Sequence, residues 1–323
     1  MTRPIAITGA TGFIGGALLS RLIANGPVRI LVRRVTLETA AWARVGVEVI
    51  LGDLDAADTL ARFVRGADAI VHCAASMGKT DARHSHTVNV IGTERLARLA
   101  RNAGVRRFVH LSSISVYAAT RRPHDIITED DTPEHVHRLN HYGHTKWLAE
   151  RRLADAAGSD LPWTILRPTN VYGPGSGPWF HQWERWVRRM PFALGNVAID
   201  LVHVDDLLDA IGLAVAADGV ESQVLHVGHE MSPLNGFVQA VGRLTGHPVR
   251  ALPARVDAAA RYVIERGVRF VTRRHMSMAL TRSVRYPHTR ATSVLGYQPR
   301  VPLVEGLAHL AAWWRAHAAA ASA

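Results

Sequence analysis

The opening of this chain restricts its fold more than any other feature. Ile5-Ala6-Ile7-Thr8, an apolar and β-branched run, leads without a break into Gly9-Ala10-Thr11-Gly12-Phe13-Ile14-Gly15. A short strand feeding a glycine-rich turn and then a helical pattern is the first half of a βαβ unit. Glycines at positions 9, 12 and 15 permit a tight turn, close approach of backbone N–H groups to an anion, and close helix–strand packing. The helix dipole adds to that attraction, so the turn suits a pyrophosphate. Its spacing is GxxGxxG rather than GxGxxG, and its place directly after the first strand gives it weight.

The alternation then repeats. Strands are predicted at 5–8, 28–32, 47–51, 69–73, 108–112 and 163–167, with helices at 13–24, 37–45, 57–64, 86–103 and 142–157. Turn residues Asn25-Gly26-Pro27, Gly52-Asp53, Gly66-Ala67-Asp68 and Gly104 fall between them. Right-handed crossovers give an α/β fold, a doubly wound parallel (Rossmann) sheet with ligands at the carboxyl ends of its strands. After Arg167 the texture changes to Tyr172-Gly173-Pro174-Gly175-Ser176-Gly177-Pro178-Trp179. We therefore expect a nucleotide-binding domain over 1–170 that also carries the chemistry. A smaller, mainly substrate-binding region follows over 171–323, with some segments returning to the first domain. The alanine-rich end, 316–323, reads as a frayed terminus.

Length and composition agree with two structural units in one globular protein. The 323 residues are 48% hydrophobic and 20% charged, and no apolar stretch reaches membrane length. Met1-Thr2-Arg3-Pro4 has no secretory pattern, and the lone Cys73 allows no internal disulfide and no cysteine zinc site, so a cytoplasmic location is expected. The formal charge of +11 invites a nucleic-acid reading. Arginines are spread over the whole chain, lysine occurs only at 79 and 146, and there is no basic tail. An arginine-for-lysine, alanine-rich composition reads better as base-composition bias than as a nucleic-acid surface, with a phosphorylated cofactor or substrate as a second contribution.

The second strand ends Val32-Arg33-Arg34, with no carboxylate before Glu38. An acid there would bind ribose hydroxyls, whereas arginine accommodates a 2′-phosphate, so NADP is favoured over NAD. After the third strand, Asp53 and Leu54 stand either beside the adenine or as a loop acid and its neighbour.

Chemistry concentrates further on. Phe108-Val109-His110-Leu111-Ser112-Ser113, followed by Ile114-Ser115, brings hydroxyls to the carboxyl end of a central strand. Tyr142 and Lys146 share a helix face at i,i+4 spacing. An ammonium beside a phenol is expected to lower the phenol's pKa from about 10. Tyr142 would then exchange a proton with an alcohol or ketone oxygen while hydride moves to or from nicotinamide, with Ser113 holding that oxygen.

Glycine turn, serine strand and Tyr/Lys helix in this order resemble the extended short-chain dehydrogenase/reductase family, also called the NAD-dependent epimerase/dehydratase family. The resemblance runs on through His72-Cys73-Ala74-Ala75, Asn89-Val90-Ile91-Gly92-Thr93, Leu166-Arg167-Pro168-Thr169-Asn170-Val171-Tyr172-Gly173-Pro174-Gly175 and His203-Val204-Asp205-Asp206-Leu207. It implies Ser113, Tyr142 and Lys146 as the catalytic trio. It also implies that Cys73, Ala74 and Ala75 line the cofactor cleft, that Lys146 bonds the nicotinamide ribose, and that Pro168, Thr169 and Asn170 lie against the nicotinamide. A homodimer built on the helices at 86–103 and 142–157 is implied as well.

Nucleotide-sugar members of the family commonly carry Arg where this chain has Ile199. That argues against nucleotide-diphosphate binding. Leu280-Thr281-Arg282-Ser283-Val284-Arg285-Tyr286 and Val294-Leu295-Gly296-Tyr297-Gln298-Pro299 look like the 3β-hydroxysteroid dehydrogenase branch, and the arginine after the second strand like the dihydroflavonol-reductase branch. The expected activity is NADP(H)-dependent interconversion of a bulky, non-nucleotide ketone and its alcohol. The alternatives are a nucleotide-sugar epimerase, dehydratase or 4-ketoreductase, and a non-catalytic cofactor-binding regulator.

Three further groups carry two readings each. Trp179, Phe180, Trp183 and Trp186 form either an apolar substrate wall, to which Ser115 and Tyr172 would add, or the packing of the small region. His135, His137, His141 and His144 lack a fixed companion set and read as surface, so no metal is expected. The basic amphipathic pattern over 255–274 either covers the substrate cleft or lies on an anionic membrane.

Overall fold

Alternating strands and helices build the large sheet, and its inner strands are short and buried because helices cover both of their faces. The computed structural model describes residues 2–77, 81–117, 126–133, 141–189, 192–193, 198–251, 255–256 and 283–321. The first elements are β1 (Ile5–Thr8), α1 (Phe13–Leu22), β2 (Val28–Val32), α2 (Leu37–Arg44), β3 (Glu48–Leu51), α3 (Ala57–Val64) and β4 (Ala69–His72). Then come α4 (Ala82–His86), a wider π turn (Thr87–Ile91), α5 (Gly92–Asn102), β5 (Arg107–Leu111), α6 (His141–Ala157) and β6 (Trp163–Pro168). Every residue of β2, β4, β5 and β6 is buried, which explains their unbroken Val/Ile/Leu character.

The second part of the chain begins with β7 (Asn170–Tyr172), α7 (Gly177–Arg189), β8 (Phe192–Ala193), β9 (Ala198–His203), α8 (Val204–Ala216) and β10 (Gln223–Val227). It continues with β11 (Glu230–Pro233), α9 (Leu234–Leu244), β12 (Arg250–Ala251), α10 (Thr289–Leu295) and α11 (Leu303–Ala321). Seven parallel strands in the order β10-β6-β5-β4-β1-β2-β3 form the large sheet. The order reverses between β1 and β4, the crossover point at which such sheets bind nucleotides. A second sheet, β11-β9-β7, stands at the carboxyl end of β6, and β12 pairs with β8.

Three larger apolar cores follow from this layering, beside a small one of Val116, Tyr117 and Ile127. One gathers α1, α8 and α10 on one face of the large sheet, through Leu18, Leu207, Ile211 and Leu295. Another gathers α3, α5 and α6 on the opposite face, through Phe63, Leu96 and Leu153. The third joins α7, α9 and α11 to β9, through Phe180, Phe237 and Leu310. The end of the chain differs from expectation, since α11 continues to Ala321. Its alanines are the best helix formers, so the helix does not fray at 316. Most of the basic 255–274 segment, along with His135 and His137, lies outside the described residues. Among the described residues no helix is long and apolar enough to cross a membrane.

Candidate active site

The turn after β1 is built for close approach. Gly9 has φ +74°, and a Cβ there would stand 2.7 Å from the Ala74 amide nitrogen. A Cβ on Gly15 would stand 2.2 Å from the Gly9 carbonyl oxygen, so α1 starts hard against the turn. Gly12 is the N-cap of α1 and offers no side chain to the first-turn amides, which leaves those donors for a ligand.

Beside this turn lies a cleft of about 440 Å³. Nine residues expected at the cofactor line it: Gly9, Thr11, Gly12, Arg33, Asp53, Leu54, Cys73, Ala74 and Ala75. Thr8, Leu31, Val32, Gly52, Ser76, His84 and Val88 line it too, and only the fold brings these to it. Its glycine cradle, free helix amides and basic rim fit a dinucleotide. Phe13, Ile14, Gly15, Arg34, Tyr142, Lys146, Pro168, Thr169 and Asn170 are not among its walls. Phe13 packs under Gly175, 3.4 Å from where a Cβ there would stand. Asp53 is both a loop acid, accepting the Leu54 amide at 2.7 Å, and a wall of the cleft.

A buried chain of hydroxyls fixes the floor. The Thr93 hydroxyl donates to the Asn89 carbonyl at 2.6 Å, so it accepts from His72 Nε2 at 2.9 Å. His72 Nδ1 is thereby left to accept the Thr8 hydroxyl at 2.6 Å, and Thr8 Oγ1 in turn accepts the Ala74 amide at 3.3 Å. Burial pulls the His72 imidazole down to about 3, so the chain holds a neutral ring. Asn89, inside the π turn, donates to the Ser76 carbonyl and to Thr145 Oγ1, both at 2.9 Å, and ties the cleft wall to α6.

At the end of β5, Ser113 Oγ donates to Ser115 Oγ at 3.0 Å and accepts the Ser115 amide at 3.1 Å. The Lys146 ammonium, one helical turn after Tyr142, donates to the Leu111 carbonyl and docks α6 on the serine strand. Burial pulls Lys146 down to about 8. The expectation for Tyr142 is corrected here. Instead of falling, its phenol is pushed up to about 12, because burial disfavours the charged phenolate.

The sequence gives no local sign of the polar relay next to these residues. Ser112 donates to Glu150, which pairs with Arg167 through Nε at 2.9 Å and Nη2 at 2.5 Å. Arg167 also donates to the Tyr117 hydroxyl, whose oxygen lies 3.0 Å from His226 Nε2. Among the residues expected at the substrate, Tyr172 is buried edge-on against His203, and Trp183 packs on Phe237 with ring centroids 5.4 Å apart. The Trp179 side chain lies outside what the structure describes. His203, Asp205 and His309 bring potential ligand atoms within 4.8 Å of one another, and His203 Nδ1 accepts the Asp205 amide as the cap of α8.

A profile of the NAD dependent epimerase/dehydratase family matches residues 5–228. The chain belongs to this family. Among its relatives, a 4-hydroxy-2-methyl-3-oxo-4-farnesyl-3,4-dihydroquinoline-1-oxide ketoreductase of Stigmatella aurantiaca is 28% identical, covering 93% of each chain. A 3 beta-hydroxysteroid dehydrogenase/Delta 5-->4-isomerase of Mycobacterium tuberculosis is 31% identical over 72% of this chain and 66% of its own. The solved structure of MoeE5 in complex with UDP-glucuronic acid and NAD superposes with a TM-score of 0.74 at 28% identity, covering 97% of this chain and 99% of that one. This epimerase/dehydratase-family chain is thus an NAD(P)-dependent enzyme with a Rossmann sheet.

Proposed function

We propose that the protein interconverts a bulky, largely non-nucleotide ketone and its secondary alcohol with NADP(H). The observation that carries this reading is the docking of Lys146 on the Leu111 carbonyl, which sets the Tyr142 helix against β5, two residues before Ser113. The nicotinamide, when bound, supplies or accepts the hydride. Tyr142, protonated at neutral pH because its phenol sits at about 12, gives its proton to the carbonyl oxygen in reduction and recovers it in oxidation. Ser113 donates a hydrogen bond to the same oxygen and stabilises the charge that develops there. Lys146, Pro168, Thr169 and Asn170 hold the nicotinamide end, and Arg33 at the cleft rim supports NADP over NAD.

A second reading, chemistry on a nucleotide sugar, draws on the near full-length likeness to MoeE5. Ile199 argues against it, since a charge-assisted contact to a diphosphate contributes roughly 1.5–3 kcal/mol that this residue lacks. The same proposal places the enzyme in the cytoplasm, in keeping with its lone cysteine, and makes it a homodimer through α5 and α6.

The test is turnover of a panel of hydrophobic cyclic ketones with NADPH, beside calorimetry with UDP, dTDP and GDP. Tyr142→Phe should lower kcat by about two decades or more while NADPH affinity stays put. Near-normal kcat in that variant removes Tyr142 from its role. Micromolar binding of a nucleotide with no ketone turnover favours the sugar reading.

A further inference from the structure

Strand β9 ends and α8 begins at His203, and α11 meets the same corner, with the His309 ring 5.6 Å from that of His203. Together with Asp205 these two histidines bring one ligand atom each within 4.8 Å of one another. Two of the three come from a His-x-Asp step at the start of α8. The third comes from α11, where Glu305 stands one turn earlier with Oε1 3.8 Å from His309 Nε2.

The tautomer of His203 sets this corner apart from a chance meeting of side chains. Its Nδ1 accepts the Asp205 amide at 3.2 Å, so the lone pair lies on Nδ1 and the proton on Nε2. The same Nδ1 stands 3.4 Å from Asp205 Oδ2. A lone pair and a carboxylate oxygen therefore face each other with no proton between them, since burial holds His203 below the ordinary histidine range. Two donors sharing one tetrahedral zinc, each at about 2.0–2.1 Å, stand about 3.3 Å apart, close to the separation found here. The ring is also held in place. A Cβ on Gly173 would stand 3.0 Å from its Nε2, and one on Gly306 would stand 2.8 Å from its Cδ2. Nε2 itself is buried without a hydrogen-bond partner.

Asp205 and His309 are about half exposed, so their side chains can close on an ion without moving the backbone. The Asp205 amide, which Nδ1 would release, is a first-turn helix donor that water can take over. Charge favours a cation here even though the chain carries +11. Asp205, Asp206 and Asp209 crowd the start of α8 with Glu305 near by, while Arg21 pairs with Asp209 at 2.5 Å and more loosely with Asp205 Oδ1 at 3.4 Å. Oδ2 is thus left to the histidine side.

We infer that His203 Nδ1, Asp205 and His309 bind a divalent transition-metal ion of the zinc type, with water completing its shell and Glu305 orienting the His309 ring. Two imidazoles and one carboxylate suit zinc, whereas magnesium and calcium take oxygen ligands. The ion clamps α11 to the junction of β9 and α8, where His203 is paired with Tyr172 of β7. Its role is structural, separate from hydride transfer.

The experiment is calorimetry and thermal unfolding of the metal-stripped chain with zinc and with magnesium, on the native protein, His309→Ala, His309→Cys, Asp205→Asn and His317→Ala. The native chain should bind one zinc at that site with a dissociation constant on the order of micromolar or below, and its Tm should rise with zinc and not with magnesium. His309→Ala and Asp205→Asn should each weaken zinc by about tenfold or more and lose the rise in Tm. His309→Cys should keep both, because a thiolate also binds zinc. His317, exposed about two turns further along α11, is the control, and its replacement should change neither readout. Circular dichroism of the metal-free variants checks that they fold, and a variant that does not fold is replaced by the other. Zinc binding weaker than about 100 µM, binding indifferent to both His309→Ala and Asp205→Asn, equal loss in His317→Ala, or magnesium binding as tight as zinc overturns the inference.

Discussion

Arg33 and Arg34 are neighbours in the sequence, yet only Arg33 lines the cofactor cleft. Both follow the end of β2 in a bend, which brings Arg33 to the cleft beside Leu31 and Val32. Arg33→Gln should weaken NADPH binding by about 1.5–3 kcal/mol and leave NADH nearly unchanged, whereas Arg34→Gln should do neither. Fluorescence titration of both cofactors checks this, and a native chain that binds them equally contradicts it. Asp200 yields a prediction in pH. Burial pushes its carboxyl from 3.8 up to about 6. Between those values the folded chain holds a proton that the unfolded chain has released, so raising the pH costs stability, on the order of 3 kcal/mol over the whole window. His72 and His226, pulled down to about 3, act in the opposite direction. The readout is therefore the difference between the native chain and Asp200→Asn in denaturant titrations from pH 4 to 7, and that difference should move in favour of the variant as pH rises. Residue identities were legible in sequence here, but their environments were not. The i,i+4 pairing of Tyr142 and Lys146 carries no information about how deeply the phenol is buried, and burial decides its pKa.

Helix α6 is held to β6 by the Glu150–Arg167 pair, in which both side chains are about 5% exposed. Breaking one side of such a pair strands a charge in the interior. Arg167→Met should destabilise the fold by about 3–5 kcal/mol, and the double variant Glu150→Gln with Arg167→Met should cost less than the single one. Urea unfolding of the two variants measures this, and a more costly double variant refutes it. At this scale the first half of the chain was readable because each strand and helix there announces itself by a local period, and the predicted strands fall within a residue or so of those found. The remaining elements were not readable for a physical reason. Strand β10 owes its place to pairing with β6, from Gln223 opposite Thr164 to Val227 opposite Pro168, and no local pattern encodes a partner so distant. The π turn at Thr87–Ile91, which aims Asn89 at both Ser76 and Thr145, is likewise invisible to a helical period.

For the molecule as a whole, the predicted dimer places α5 and α6 against their symmetry mates, and these helices already pack on each other within the chain. Light scattering at micromolar concentration should give twice the chain mass, and a monomer would contradict the assignment. The route of the polypeptide also bears on how the protein is made. The seventh strand of the large sheet is supplied only after the chain has left that sheet to build β7, α7, β8, β9 and α8. During synthesis, β6 therefore emerges with one edge bare and stays so until the residues around 227 have cleared the ribosome. A bare apolar edge is a template for mispairing with other chains. Nascent chains stopped shortly after residue 170 should accordingly be captured by chaperones or aggregate, while those extended past β10 should be released, so this enzyme's most vulnerable moment comes midway through its own translation.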